Sequence, residues 1–354
     1  MQMAMAGTIG TLVAHGKGIL AADESQATIR RRFEPYEIEP TTENQRRYRQ
    51  MLFTTPGLAE YISGVILYDE TLRQHADDGR SFVALLAANG IVPGVKVDAG
   101  TRPLAGAPGE SITEGLDGLR ARLEEYRTLG ARFAKWRAVI TIGDGRPSSY
   151  CLDTNSHALA RYTALCQEAG LVPIVEPEVL MDGTHSLERS FEVAEATLER
   201  VFAALRSQRV ALEHLLLKPS MVVPGVDSPD QAGIQDVAEA TVRCLRRAVP
   251  AAVPGIVFLS GGQDALLATA HLNAMNAMPA VHPPAVHPWP LSFSFARALQ
   301  GPALDAWRGE PRNVPAGQRA FRHRARCNSA ASEGRYSPEM EDPAAGTFVE
   351  QVRG

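Results

Sequence analysis

Apolar residues in this chain fall into short blocks, and polar or amphipathic stretches separate them. Eight blocks read as strands: "GILAAD" (18–23), "SGVILYD" (63–69), "GIVPGVKVD" (90–98), "FAKWRAV" (133–139), "LVPIVEP" (171–177), "HLLLKP" (214–219), "GIVFLSG" (255–261) and "LSFSFA" (291–296). Between them, apolar positions return at three- and four-residue spacing, which predicts amphipathic helices over 116–130, 158–170, 185–208 and 236–248. Gly130 and Gly170 stand where two of these helices should stop, since glycine accepts the left-handed backbone of a C-terminal cap. Near-continuous apolar strands alternating with helices describe a parallel sheet covered on its faces. Eight repeats of the unit predict an α/β fold of the (β/α)8 TIM-barrel type over residues 1–333, with a flexible C-terminal tail over 334–354. The alternative, a doubly wound sheet, lacks a GxGxxG after its first strand. "DAGTRPLAGAPGE" (98–110) reads as a Gly/Pro loop and "PAVHPPAVHPWP" (279–290) as a proline-rich connection.

Polar residues interrupt the apolar pattern at the C-terminal end of every block. In order these are Asp23, Asp69, Lys96, Lys135 with Arg137, Glu176 with Glu178, Lys218, Ser260-Gly261-Gly262, and Ser294 with Arg297. Lys135 and Arg137 are two apart and share one face of a strand, as do Glu176 and Glu178. Pro177 and Pro219 cannot donate to a sheet ladder, so both are expected to end their strands. One polar residue at a strand end caps or pairs something. A ring of them around the C-terminal rim of a barrel is where such folds carry chemistry.

Composition singles out the amines. Of 36 basic residues only four are lysine: Lys17, Lys96, Lys135 and Lys218. Arginine serves a surface charge equally well but stays protonated and cannot act as an amine nucleophile. Three of the four lysines sit in strand-like runs, and Lys218 closes "LLLKP", where a buried ammonium is costly unless it is paired. The net charge of −4 supplies no global attraction to nucleic acid, and the basic "RHRAR" (322–326) reads as a solvated helix face. Four cysteines (Cys151, Cys166, Cys244, Cys327) without a CxxC pair suit a reducing, cytoplasmic setting. The N-terminal stretch has neither the pattern of a signal peptide nor that of a membrane span. His282 and His287 form the only close histidine pair, and they lie in a proline loop, so no catalytic metal is expected.

An amine among other cations and apolar walls has its neutral, nucleophilic form favoured. Such an amine attacks a ketone to give an iminium, which is an electron sink for a neighbouring carbanion. Asp23 and Glu176 are placed to move the protons of dehydration and C–C cleavage. The backbone of "LSGGQDA" (259–265) can approach a phosphate closely, and Arg297 supplies countercharge.

The chain resembles the class I fructose-1,6-bisphosphate aldolases. The resemblance rests on "GKGILAADES", "GVILYDETL", "GVKVD", "LAG…GE…TEGLDGL", "FAKWR", "LVPIVEPEVL", "LLLKPSMV", "FLSGGQ" and "PWPLSFSFARALQ", which follow in order over about residues 15–335. It implies Lys218 as the Schiff-base lysine, Glu176 as the principal acid/base, Asp23 and Lys135 as catalytic aspartate and auxiliary lysine with Glu178 in support, and Arg137 as a substrate-binding residue. It further implies Ser260, Gly261, Gly262, Ser294 and Arg297 around the C1 phosphate of a sugar bisphosphate, and Ser25, Thr28, Arg32 and Lys96 near the C6 phosphate. A metal-independent homotetramer of glycolysis and gluconeogenesis is implied too. The sequence departs from the family pattern twice. Ala296 replaces the commoner glycine before the arginine, and Gly354 stands where the family ends in a tyrosine that helps protonate the enamine.

Overall fold

Eight parallel strands close into one ring in the computed structural model, which describes residues 2–278 and 287–342. In chain order they are β1 (Gly18–Ala22), β2 (Ile62–Leu67) and β3 (Val92–Lys96), then, after an excursion, β6 (Phe133–Ile140), β7 (Val172–Val179), β8 (Leu216–Leu217), β9 (Ile256–Phe258) and β10 (Leu291–Phe295). Each pairs with the next, and β10 pairs with β1 to close the (β/α)8 barrel. The excursion is β4 (Thr101–Pro103) and β5 (Ser111–Thr113), an antiparallel hairpin whose first strand lies inside the 98–110 stretch expected to be a plain loop and whose second follows directly after it. Thr113 donates its hydroxyl to Arg137 O at 2.8 Å, so the hairpin braces β6.

Helices cover the ring where the apolar spacing predicts them, at Leu119–Thr128, Ser149–Ala169, Leu187–Ser207 and Ile234–Ala248. Gly170 ends the second in a left-handed conformation with φ 75°. That helix begins nine residues before its clear periodicity, because Ser148 caps it by accepting from Cys151 N at 3.1 Å. Pro177 does not end its strand: β7 stays paired with β6 through Val179. Val172 N and Leu180 N donate towards β6, whereas Val179 N donates the other way, to Ser220 Oγ. The missing N–H of Pro177 therefore falls on the side where β8 has already ended.

Side chains alternate between the two cores. Leu20, Ala134, Trp136, Val175 and Leu217 point outward into the layer between sheet and helices. Ile19, Ala21, Ile66, Phe133, Val172, Ile174, Leu216 and Val257 point inward and fill the lower half of the barrel. The helix Gln2–Leu12, which the apolar pattern does not reveal, plugs that end with Met5, Ile9 and Leu12. Burying each such side chain contributes about 1.5–3 kcal/mol. Gly94 is required opposite Phe133, since a Cβ there would come within 2.4 Å of the ring.

The alternation carries straight into the upper half. The inward row of β7 runs Val172, Ile174, Glu176, Glu178; that of β6 runs Phe133, Lys135, Arg137; that of β1 leads through Ile19 and Ala21 to Asp23. Residues 334–342, the start of the expected tail, fold back as the turn Pro338–Glu341, and Tyr336 packs against the core. Gly354, which stands where the family ends in a tyrosine, and His282 of the histidine pair lie outside the described residues.

Candidate active site

A cleft of about 1080 Å³ opens at the C-terminal ends of the strands, and every residue singled out above as a catalytic or substrate-binding candidate lines it. At its floor residues on or just past four strands, β1, β6, β7 and β8, converge. Lys218, first residue past β8, places Nζ 2.9 Å from Glu176 Oε1. Lys135 of β6 places its Nζ 2.9 Å from Glu176 Oε2 and 2.8 Å from Asp23 Oδ2. The result is one chain of charge, Lys218–Glu176–Lys135–Asp23, with no member more than 8% exposed. Isolated, each of these charges would be untenable there; paired and hydrogen-bonded, they hold each other in place.

The same geometry sets the protonation states. Burial works to raise the Glu176 carboxyl, but Lys135, Lys218 and Arg137 outweigh it and hold it below the usual carboxylate range. Burial likewise opposes ionisation of Asp23, and Lys135, Lys218 and Lys96 overcome it. For Lys135 burial favours the neutral amine, but Asp23, Glu176 and Asp98 keep it firmly an ammonium. Lys135 is thus a fixed charge that orients two carboxylates.

Above the floor, Lys96 pairs with Asp98 Oδ1 at 2.6 Å, and Arg137 pairs with Glu178. Asp98 also accepts from Arg137 N at 3.2 Å, which ties β3 to β6. Cations and carboxylates alternate through the site, so Lys218 faces a carboxylate directly as well as having other cations nearby. The sequence marks Asp98 only by its place at the end of "GVKVD", one strand end among eight. Asp69, at another strand end, lies outside the cleft and pairs with Arg73 at 3.0 Å on the surface. The fourth lysine, Lys17, donates to Ala59 O at 2.7 Å at the opposite end of the barrel.

Two polar subsites flank the floor. On one side Gly261 and Gly262 both take positive φ, 58° and 98°, in a turn closed by Gln263 N donating to Ser260 O at 3.0 Å. The helix that follows is capped by its own Asp264, which accepts from Leu266 N at 2.8 Å. Its N-terminus is therefore occupied, and an anion would meet the glycine turn instead. The helix Arg297–Trp307 next to it begins at Ala296 without a side-chain cap, and Arg297 donates to Gly262 O. Ser294 Oγ is buried here without a partner. On the other side Ser25 caps the helix Gln26–Phe33 and lies 3.1 Å from Thr28 Oγ1. Arg32 is held by Glu24, which also pairs with the buried Arg49 at 2.7 Å. Glu24 and Arg49 went unnoticed in the sequence because nothing in it says that a helix at 42–53 packs beneath residue 24.

The "RHRAR" stretch is not a solvated face. Arg324 is buried in the helix Val314–Ser332 and bonds Glu341 at 2.5 Å, Thr269 Oγ1 at 2.5 Å and Ala265 O at 3.3 Å.

Comparison with known proteins gives a family. A family model described as "Glycolytic: Fructose-bisphosphate aldolase class-I" matches residues 4–352. A Xylella fastidiosa protein named "Probable fructose-bisphosphate aldolase class 1" is 56% identical over 333 residues, covering 94% of this chain and 98% of the relative. An Arabidopsis thaliana protein named "Fructose-bisphosphate aldolase 5, cytosolic" is 52% identical, covering 91% and 88%. Among solved structures, a Plasmodium falciparum fructose-bisphosphate aldolase, determined in complex with TRAP and a small-molecule inhibitor, superposes with a TM-score of 0.91. It is 46% identical and 95% of each chain is covered.

Proposed function

The chain belongs to the class-I fructose-bisphosphate aldolase family, and from that premise we propose that Lys218 forms the Schiff base through which it reversibly cleaves fructose 1,6-bisphosphate to dihydroxyacetone phosphate and glyceraldehyde 3-phosphate. The observation that carries the assignment is the contact of Lys218 Nζ with Glu176, itself fixed by Lys135 and Asp23. Lys218 adds to the C2 ketone, and the C–N bond forms as its proton passes to Glu176. Two protons leave the lysine nitrogen in turn and pass through Glu176 to the former carbonyl oxygen, the first giving the carbinolamine hydroxyl and the second letting it leave as water with the iminium behind. Asp23 accepts the proton of the C4 hydroxyl. The C3–C4 electrons move into the iminium, giving an enamine and free aldehyde. Protonation at C3 and hydrolysis then release the ketone. The iminium takes the electrons a metal ion would otherwise stabilise, in keeping with the family's metal independence.

The glycine turn, Ser260, Ser294 and Arg297 are assigned to one phosphate. Ser25, Thr28, Arg32 and Lys96 are assigned to the other, with Arg137 and Glu178 between. Borohydride added with dihydroxyacetone phosphate tests the central claim: the reduced adduct is expected on the peptide containing Lys218. Mapping to Lys96 or Lys135 overturns it.

A homotetramer in a reducing cytoplasm is our reading of assembly and place. Family resemblance supports it, as do four free, buried cysteines and a cytosolic relative. Among the described residues no helix is long and apolar enough to cross a membrane. We keep the division into a barrel over 1–333 and a tail over 334–354, with the tail's first nine residues pinned as described. Sedimentation equilibrium tests the assembly, with a mass of four chains expected.

A further inference from the structure

Far from the substrate cleft, three metal-ligating side chains meet. His323 and Cys327 stand four residues apart, on one face of the helix Val314–Ser332, and Glu341 reaches them from the turn Pro338–Glu341. Their donor atoms all lie within 4.8 Å of one another. His323 Nε2 is 3.3 Å from Glu341 Oε2 and 3.7 Å from Cys327 Sγ. Zinc binds nitrogen and oxygen at about 2.0–2.2 Å and sulfur at about 2.3 Å, so tetrahedral angles set such donors about 3.4–3.6 Å apart. Two edges of a coordination tetrahedron are therefore already formed to within a few tenths of an ångström.

We infer that His323, Cys327 and Glu341 form a binding site for a thiophilic divalent cation of the zinc type, with the fourth position taken by water. The supporting groups point the same way. Tyr336 donates its hydroxyl to Glu341 Oε1 at 2.9 Å, and Arg324 Nη1 donates at 2.5 Å to both oxygens of that carboxylate, so its orientation is set and Oε2 meets the ion with its remaining lone pair. The charge of Arg324 opposes a hard cation held by carboxylate alone, whereas a sulfur and an imidazole select a softer one. On binding, the Cys327 thiol loses its proton to solvent as the metal–sulfur bond forms; nothing is oxidised or reduced. The ion would staple residues 334–342 to the helix Val314–Ser332. Through Arg324 and Thr269 it would also brace the helix Ala265–Ala277 that follows the glycine turn. No step of the cleavage chemistry passes through it.

The test titrates chelator-stripped, full-length protein with Co2+. One equivalent per chain is expected, with a thiolate-to-cobalt charge-transfer band and the visible bands of a tetrahedral ion. Added Zn2+ should displace the cobalt and raise the thermal midpoint. Cys327→Ser should abolish the band and the thermal shift while leaving the cleavage rate of the metal-free protein unchanged. Glu341→Gln should weaken binding at least tenfold, and Tyr336→Phe about tenfold. If Cys327→Ser fails to fold, His323→Ala carries the same comparison. Absence of the thiolate band in the wild-type protein overturns the proposal, as does a band that persists in Cys327→Ser or in His323→Ala.

Discussion

The two ends of the barrel interior are built from the same inward-facing rows, yet they do opposite things. At the N-terminal end Ile19, Phe133, Val172 and Leu216 pack with Met5, Ile9 and Leu12 into a dry plug. One or two steps up the same strands stand Asp23, Lys135, Glu176 and Lys218, all buried and all charged. The lower layer is held by burial, which is indifferent to exact partners and forgiving of small shape changes. The upper layer is held by ion pairs, which repay desolvation only with exact geometry. A rigid apolar floor is what lets four buried charges stay within 3 Å of their partners. The contrast predicts that mutations below should cost stability and mutations above should cost chemistry.

The largest effect should come from Lys218→Arg. It preserves charge opposite Glu176 but cannot form an iminium, so cleavage should fall by at least about 10⁴-fold, equivalent to about 5.5 kcal/mol of barrier, with the melting curve little changed. Retention of a tenth of the rate in steady-state assays would remove the lysine from the mechanism. Next comes Leu12→Ala in the plug. Its side chain is fully buried, so unfolding free energy should drop by about 2–5 kcal/mol while kcat per folded molecule stays put. A collapse of kcat at full folding would erase the proposed division between the two ends. Arg297→Ala, at the edge of the upper layer, removes a charge-assisted contact worth about 1.5–3 kcal/mol. It should raise KM for phosphorylated ketoses and leave stability alone. An unchanged KM would move that phosphate elsewhere.

The smallest effect concerns His271, behind the glycine turn, where it bonds Gln263 at 2.7 Å. Burial pushes its ring down from 6.5 to about 4. Between those values the unfolded chain binds the proton and the folded chain does not, so stability is full above the upper value and erodes as pH falls. From pH 7 to 6 the loss from this residue should be under about 1 kcal/mol. His271→Gln should flatten that part of the stability–pH curve in denaturant titrations; an unaltered slope would assign it to other groups.

Much of this was legible in the chain itself because period and chemistry coincide. The eight apolar blocks each hold a barrel strand, and alternate positions within "FAKWR" and "LVPIVEPEVL" place Lys135, Arg137, Glu176 and Glu178 on one face without any knowledge of neighbours. The scarcity of lysine marked the amines before any distance was measured. What failed depended on contacts between distant segments. Pro177 looked like a strand end because local rules do not say which of its two neighbouring strands stops first. "RHRAR" looked like a solvated face because nothing within it shows that Glu341, Thr269 and Ala265 close around Arg324.

The sequence alone therefore determined the barrel, the inward rows and the reactive groups at their upper ends, since these follow from strand alternation and residue chemistry. Only the tertiary structure decided which carboxylate faces which amine. Alternation sets the direction of a side chain, whereas pairing depends on the register between strands and on what packs beneath. That is why Glu176 lies between Lys218 and Lys135, why Asp98 joins them, and why the helix Gln2–Leu12 seals the far end.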